Sequence, residues 1–173
     1  YYNLDKWRGT IRLDGGAVLN QASHYVDLLY WLFGKIKKIS CFKKTLARKI
    51  EVEDTAVISL QWEKGFLGSL NVSMLNYMEN YKGSLTLVTE NGTITIGGKS
   101  LNKLEYCKLK NKNVEKKFLK TKSLDELTHD YCYIEFYKSI LKYNKKNSKE
   151  IFLSDAVEAQ NTMSIIFNSY DSS

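Results

Sequence analysis

Two histidines are available to move a proton near neutral pH, and their neighbourhoods in the sequence differ. His24 lies in AVLNQASHYVDLLYWLF, with Asn20 four residues before it and Asp27 three after. At 3.6 residues per helical turn the three side chains project from nearly one side. In a segment that is otherwise strongly apolar, such a row is expected to be buried against something and to need hydrogen-bond partners. Two readings stay open: a pocket in which an imidazole can act as a base, or a core histidine satisfied by internal bonds. His129 opens a later helical segment and reads as a surface or first-turn residue.

Other candidates surround this row. Tyr2, Trp7 and Arg8 form an aromatic and basic cluster upstream. A guanidinium suits phosphate or carboxylate groups and aromatic faces suit sugar rings, although a solvated surface has the same composition. Asp14-Gly15-Gly16 reads either as a turn leading into the helix or as a place where backbone approaches a ligand closely. Glu53-Asp54 is ordinary turn chemistry, with Asp54 expected to cap the start of a strand. LDGGAVL and TIGGKSL hold glycine pairs only and match no phosphate-binding loop, so no nucleotide site is complete within these residues. Cys41, Cys107 and Cys132 are widely spaced and odd in number, which indicates neither a disulfide framework nor a metal site and fits a reducing cytoplasm.

The elements that must position these residues are legible from periodicity. Ala17 to Phe33 has a broad apolar helical face, and Gly34 follows as a terminator. The runs 35–47, 54–63 and 66–75 are rich in Val, Ile, Leu, Phe and Thr with partial alternation and read as strands. Residues 83–89 and 93–98 flank Glu90-Asn91-Gly92, the signature of a hairpin with a tight primed turn. A further strand at 103–109 is expected to pair with 114–120 across a polar turn. Helices are predicted from about Leu124 to Tyr143 and from Asp155 to about Tyr170, with Ser154 as N-cap and a solvated loop at 141–150 between them. A helix, then consecutive strands, then two helices predicts an α+β domain: an open, mostly antiparallel sheet with helices on one face.

A chain of 173 residues suits one core. Its 43% hydrophobic, 26% charged and 13% aromatic content is that of a globular protein. No apolar run reaches the length of a bilayer span, and the first residues resemble no secretory signal. The net charge of +7 admits a nucleic-acid-binding alternative. The lysines are scattered over strands and loops, however, and no groove-reading or single-strand motif accompanies them. Nothing in the sequence accounts for the absence of proline. The Tyr at position 1 and the unterminated SYDSS at the other end suggest an excised piece of a longer protein.

The stretch WRGTIRLDGGAVLNQASHYVDLLYWLFG resembles the glucose-fructose oxidoreductase, inositol dehydrogenase and rhizopine catabolism family. VEDTAVISLQWEKGFLGSL and YKGSLTLVTENGTITIGGKSLNKLEY are similar to the same family's next strands and hairpin, so the resemblance spans nearly the whole chain. Within it, WRGT, GG, NQxxH and GTITIGGKSLNK look most like the UDP-N-acetyl-2-amino-2-deoxyglucuronate 3-dehydrogenases of surface-polysaccharide synthesis.

The resemblance implies a single C-terminal substrate and oligomerisation domain over residues 1–173, of the kind found in glyceraldehyde-3-phosphate dehydrogenase. It also implies an absent N-terminal Rossmann domain that binds NAD or NADP. His24 stands at the family's active-site histidine, which shares proton handling with a lysine of the absent domain. Asn20 stands where many relatives carry aspartate in D-x-x-x-H. Arg8, Tyr2, Gln21 and Asp27 become candidates for substrate contact. The expected partners are a sugar or sugar nucleotide and further copies of the chain through its sheet, with neither nucleic acid nor membrane. The expected place is the cytoplasm. The isolated piece is expected to be inactive, and a catalytically silent relative serving as an oligomerisation or binding module is the alternative.

Overall fold

Gly34 ends the first helix as its sequence predicts. At φ 79° its N–H closes on the Tyr30 carbonyl at 2.7 Å, a conformation that favours glycine. The start of that helix is different from expectation. In the computed structural model, which describes residues 5–79, 81–120, 129–146 and 156–172, residues Ala17–Gln21 form a π-helical turn and α1 spans only Ser23–Phe33. The single helix foreseen from Ala17 is thus two segments that meet at Ala22.

Contacts divide the chain into two units, Tyr1–Leu75 with Ile151–Ser173, and Asn76–Glu150. In the first, β1 (Ile36–Lys44), β2 (Thr55–Trp62) and β3 (Leu67–Ser73) pair antiparallel in that order. Ala56, Ile58, Leu60 and Trp62 are buried along β2, and Val57 and Ser59 between them are exposed, the period-two signature of a sheet covered on one face. Cys41 lies opposite Ile58 on that covered face, and burial pushes its thiol pKa up. The cover consists of α1, through Val26 and Leu29, and of α4 (Ala156–Asp171), through Ile165 and Ile166. Each large aliphatic side chain buried there contributes about 1.5–3 kcal/mol. A cavity of about 10 Å³ remains among Val26, Leu29, Ile58, Leu60 and Ile166, room for one water at most.

In the second unit β4 (Leu85–Thr89), β5 (Gly92–Gly97) and β6 (Lys103–Leu109) form another antiparallel sheet, followed by α2 (Lys112–Leu119) and α3 (His129–Lys146). The hairpin stands where Asn-Gly predicts it, with Thr89 paired to Gly92. The turn is not the primed one expected, since only Gly92 of the trio takes a positive φ, at 155°. A Cβ on Gly92 would meet the Lys108 carbonyl and Leu109 across the sheet.

The α+β class and the antiparallel, open sheets are as predicted. The strands are shared between two sheets because the described residues between Met74 and Ser84 contain no strand and pass through Met78 at φ 65°. The strand expected at 114–120 is instead α2. Asn111 Oδ1 accepts the N–H groups of Asn113 and Val114 at 3.0 and 3.2 Å, and the Glu115 carboxylate accepts the Leu109 N–H at 2.6 Å. That cap satisfies helix-end donors that a strand would have had to pair elsewhere. The loop expected at 141–150 is helical as far as Lys146, the end of α3. Residues 124–128, Ser154 and Asp155 lie outside the described residues.

Candidate active site

The π turn that carries Asn20 and Gln21 is built from buried carboxylates. Gly16 precedes it at φ 87°, and a Cβ there would collide with the Glu53 carboxylate. The Glu53 main-chain carbonyl accepts the Ala17 N–H at 3.1 Å, and its Oε1 accepts the Val18 N–H at 2.9 Å. One acidic residue from the loop before β2 therefore caps the helical start through both main chain and side chain. The Tyr170 hydroxyl of α4 reaches the Gly15 carbonyl at 2.7 Å and Glu53 Oε1 at 2.9 Å. Burial and the adjacent Glu53 charge drive the phenol pKa far up, so Tyr170 stays a neutral hydroxyl. The Lys43 ammonium lies 4.4 Å over its ring and donates to its carbonyl at 3.0 Å.

A second buried carboxylate orders the polar side chains. Asp14 Oδ2 accepts the Gly9 N–H at 2.7 Å, and Oδ1 accepts Asn20 Nδ2 at 2.6 Å. Asn20 Oδ1 in turn accepts Gln21 Nε2 at 2.8 Å. Asp54, fully buried, accepts the N–H groups of Leu46, Ala47 and Arg48 and the Thr55 hydroxyl. Burial opposes its charge, yet these donors together hold its pKa below the usual carboxylate value. Its part is to anchor the loop after β1, not simply to start a strand.

His24 is exposed at the beginning of α1, and no described residue hydrogen-bonds to its imidazole. Asp27 is also exposed and accepts the Thr162 hydroxyl of α4 at 2.7 Å. The buried row expected from helical spacing is therefore absent. The apolar stripe of α1 faces the sheet through Val26 and Leu29 and leaves His24 and Asp27 outward, and Asn20 sits in a different helical segment. Asn20 and Gln21 are brought together. Arg8 is half-buried, pairs with Asp5 at 3.0 Å and lies 4.9 Å over the Trp7 ring. Tyr2 lies outside the described residues. His24 lines neither the apolar cavity nor the broad depression of about 410 Å³ over Cys41, Phe42, Lys43, Lys44 and Thr55. Among the described residues, no cluster of His, Cys, Asp and Glu could hold a metal ion.

Glu53 and Tyr170 had no signal as a pair, being 117 residues apart. The glycines before the π turn did signal a close approach, but the group that approaches is Glu53. π-Helical turns inside helices concentrate at functional sites.

The family model described as the GFO/IDH/MocA C-terminal domain matches residues 1–95. The chain belongs to this family. No curated protein matches it. Among solved structures, the WlbA dehydrogenase of Bordetella pertussis, in complex with NADH and UDP-GlcNAcA, is similar at 35% identity and TM-score 0.78. The WlbA dehydrogenase of Chromobacterium violaceum, in complex with the same two molecules, is similar at 35% identity and TM-score 0.81. Each alignment covers 99% of this chain and 48% of the WlbA chain, so the sequence spans about half the length of these relatives. An NAD-binding oxidoreductase of Klebsiella pneumoniae shares the fold at 13% identity and TM-score 0.76, over 97% of this chain and 51% of that one.

Proposed function

We propose that this Gfo/Idh/MocA chain is the substrate-binding half of an NAD(P)-dependent dehydrogenase that oxidises a sugar-nucleotide hydroxyl, at C3 of a UDP-N-acetylhexosaminuronate. The observation that carries the reading is the exposed imidazole of His24, which no described side chain engages, in the first turn of α1 and three residues after a π turn fixed by Asp14 and Glu53. Similarity to the two WlbA dehydrogenases supports the sugar nucleotide as substrate class. NAD or NADP would supply the hydride acceptor. Among the described residues there is no strand, glycine-rich turn and helix to hold a dinucleotide, so its binding residues are assigned to an N-terminal Rossmann domain.

In this reading His24 accepts the proton of the hydroxyl as the carbon loses hydride, a task suited to a side chain type that changes charge near neutral pH. A lysine of the other half shares that task. Asn20 holds the hydroxyl in line, and Gln21, Arg8, Asp27 and Tyr2 are candidates for the rest of the sugar nucleotide. Productive geometry needs both walls of the crevice, so these residues alone turn nothing over. The cytoplasm is the proposed location. Among the described residues no helix is long and apolar enough to cross a membrane.

A second reading, a silent relative acting through its sheet, is favoured by one observation. The uncovered side of the first sheet exposes Phe42 at 76% and Val57 at 43%, and Leu67 at its edge is 79% exposed, an apolar patch fit to meet another copy of the chain. His24→Ala in the full-length protein separates the two. The dehydrogenase reading expects kcat for UDP-N-acetylglucosaminuronate oxidation to fall by about 10²–10⁴-fold. Unchanged turnover overturns the role given to His24, and no turnover in the wild type overturns the dehydrogenase reading in favour of the silent relative.

A further inference from the structure

The side-chain row at the start of the site runs in one direction, and a single buried residue sets that direction. A carboxylate offers acceptors only. With Asp14 Oδ2 on the Gly9 N–H, Oδ1 requires a donor from Asn20, which turns the Asn20 amide nitrogen inward at 2.6 Å. Asn20 Oδ1 must then face Gln21, which answers with Nε2 at 2.8 Å. The row ends on the Gln21 carbonyl oxygen, which bonds no described residue. Asp14 is 7% exposed, while Asn20 and Gln21 are half-buried, so the order is imposed from the interior outward.

We infer that Asp14 is a positioning residue that fixes the amide polarity of Asn20 and Gln21 and so selects a substrate offering a hydroxyl or amide N–H to the Gln21 carbonyl. The inference rests on the dehydrogenase reading for its substrate and deepens it, because it names what orders donors and acceptors on the substrate side. The Asp14-Gly15-Gly16 sequence does more than turn the chain: its carboxylate reads out as hydrogen-bond direction two side chains away.

The geometry prescribes an exchange of residue types. In Asp14→Asn the new amide must keep its oxygen on the Gly9 N–H and turn its nitrogen to Asn20. Asn20 then turns its oxygen inward, Gln21 follows, and the row ends on a donor with almost no change in shape. In Asn20→Asp two carboxylates face each other at hydrogen-bond distance. Combining the two substitutions restores the original direction: the introduced amide donates to the introduced carboxylate, which still accepts Gln21 Nε2. Each of the three hydrogen bonds survives.

The test measures kcat/KM, and Kd by calorimetry, for UDP-N-acetylglucosaminuronate in the full-length protein, wild type and the three variants, with melting temperatures alongside. Each single substitution is expected to weaken Kd by about fivefold or more and kcat/KM by about tenfold or more, the penalty of facing a polar ligand group with the wrong partner. The paired variant is expected to return to within about threefold of wild type. A residue that merely holds the fold would lower the active fraction and leave Kd per folded molecule unmoved. Unmoved Kd in Asp14→Asn, or a paired variant no better than the worse single one, overturns the inference. Wild-type binding without turnover overturns the dehydrogenase reading alone, since the Kd series still decides the role of Asp14. Neither binding nor turnover in the wild type overturns both.

Discussion

The two sheets have the same strand count and the same pairing, yet they are stabilised differently. In the first unit every second residue of β2 is buried beneath α1 and α4, and three carboxylates, Asp14, Glu53 and Asp54, are buried with donors on them. In the second unit the described strands bury only Gly97 and Cys107, and Glu115 of α2 is the buried polar group. Long-range packing therefore holds the unit that carries His24 and Asn20, while local devices such as the Thr89 to Gly92 turn and the Asn111 cap define the other. A site needing side chains held to fractions of an ångström belongs on the former.

This contrast can be broken experimentally. The largest effect is expected from Ile166→Ala, which removes a fully buried side chain where α4 meets the sheet and should cost about 2–5 kcal/mol by chemical denaturation. A loss below about 0.5 kcal/mol, the scale of a surface substitution, would mean that α4 is not the cover it is taken to be. Next comes acid. Because the folded pKa of Asp54 is lowered from 3.8, its stabilising contribution is complete above that value and is lost as pH falls through the folded pKa. Melting curves across this window should show Asp54→Asn losing less stability on acidification than the parent, and parallel curves would contradict the assignment. The smallest effect is expected in the second unit. Asn111→Ala removes the cap of α2 and should cost about 0.5–2 kcal/mol, seen as faster amide exchange within Lys112–Leu119 and not in β2. Equal acceleration in both places would mean that the units do not differ as described.

How far the sequence alone could reach follows the same division. Short-range signals were legible: the apolar stripe and Gly34 end of α1, the alternation of β2, the hairpin at Asn91-Gly92. They depend on neighbours a few residues apart, where propensity and turn chemistry act directly. The error at 112–119 came from reading Val114, Phe118 and Leu119 as strand residues, although Val114 and Phe118, four residues apart, also suit one helix face and Asn111 stood ready as a cap. Reach across the chain was not legible. Nothing in LDGGAVLNQ shows that Asp14 orders Asn20, because a π turn alters the spacing that an α-helix would give. The exposure of His24 likewise depends on which side of α1 the sheet occupies, a tertiary fact. The family resemblance, by contrast, pointed to His24 and Asn20 without any of this geometry.

Tyr170 belongs to α4, near the end of the chain, while its hydroxyl holds Gly15 and Glu53 at the threshold of the helix that bears His24. Contacts that close so long a loop form late in folding. On a translating ribosome the histidine would emerge well before α4 and stay loosely held until that helix followed, so an abortive product ending before α4 would carry the imidazole without the brace that orients it.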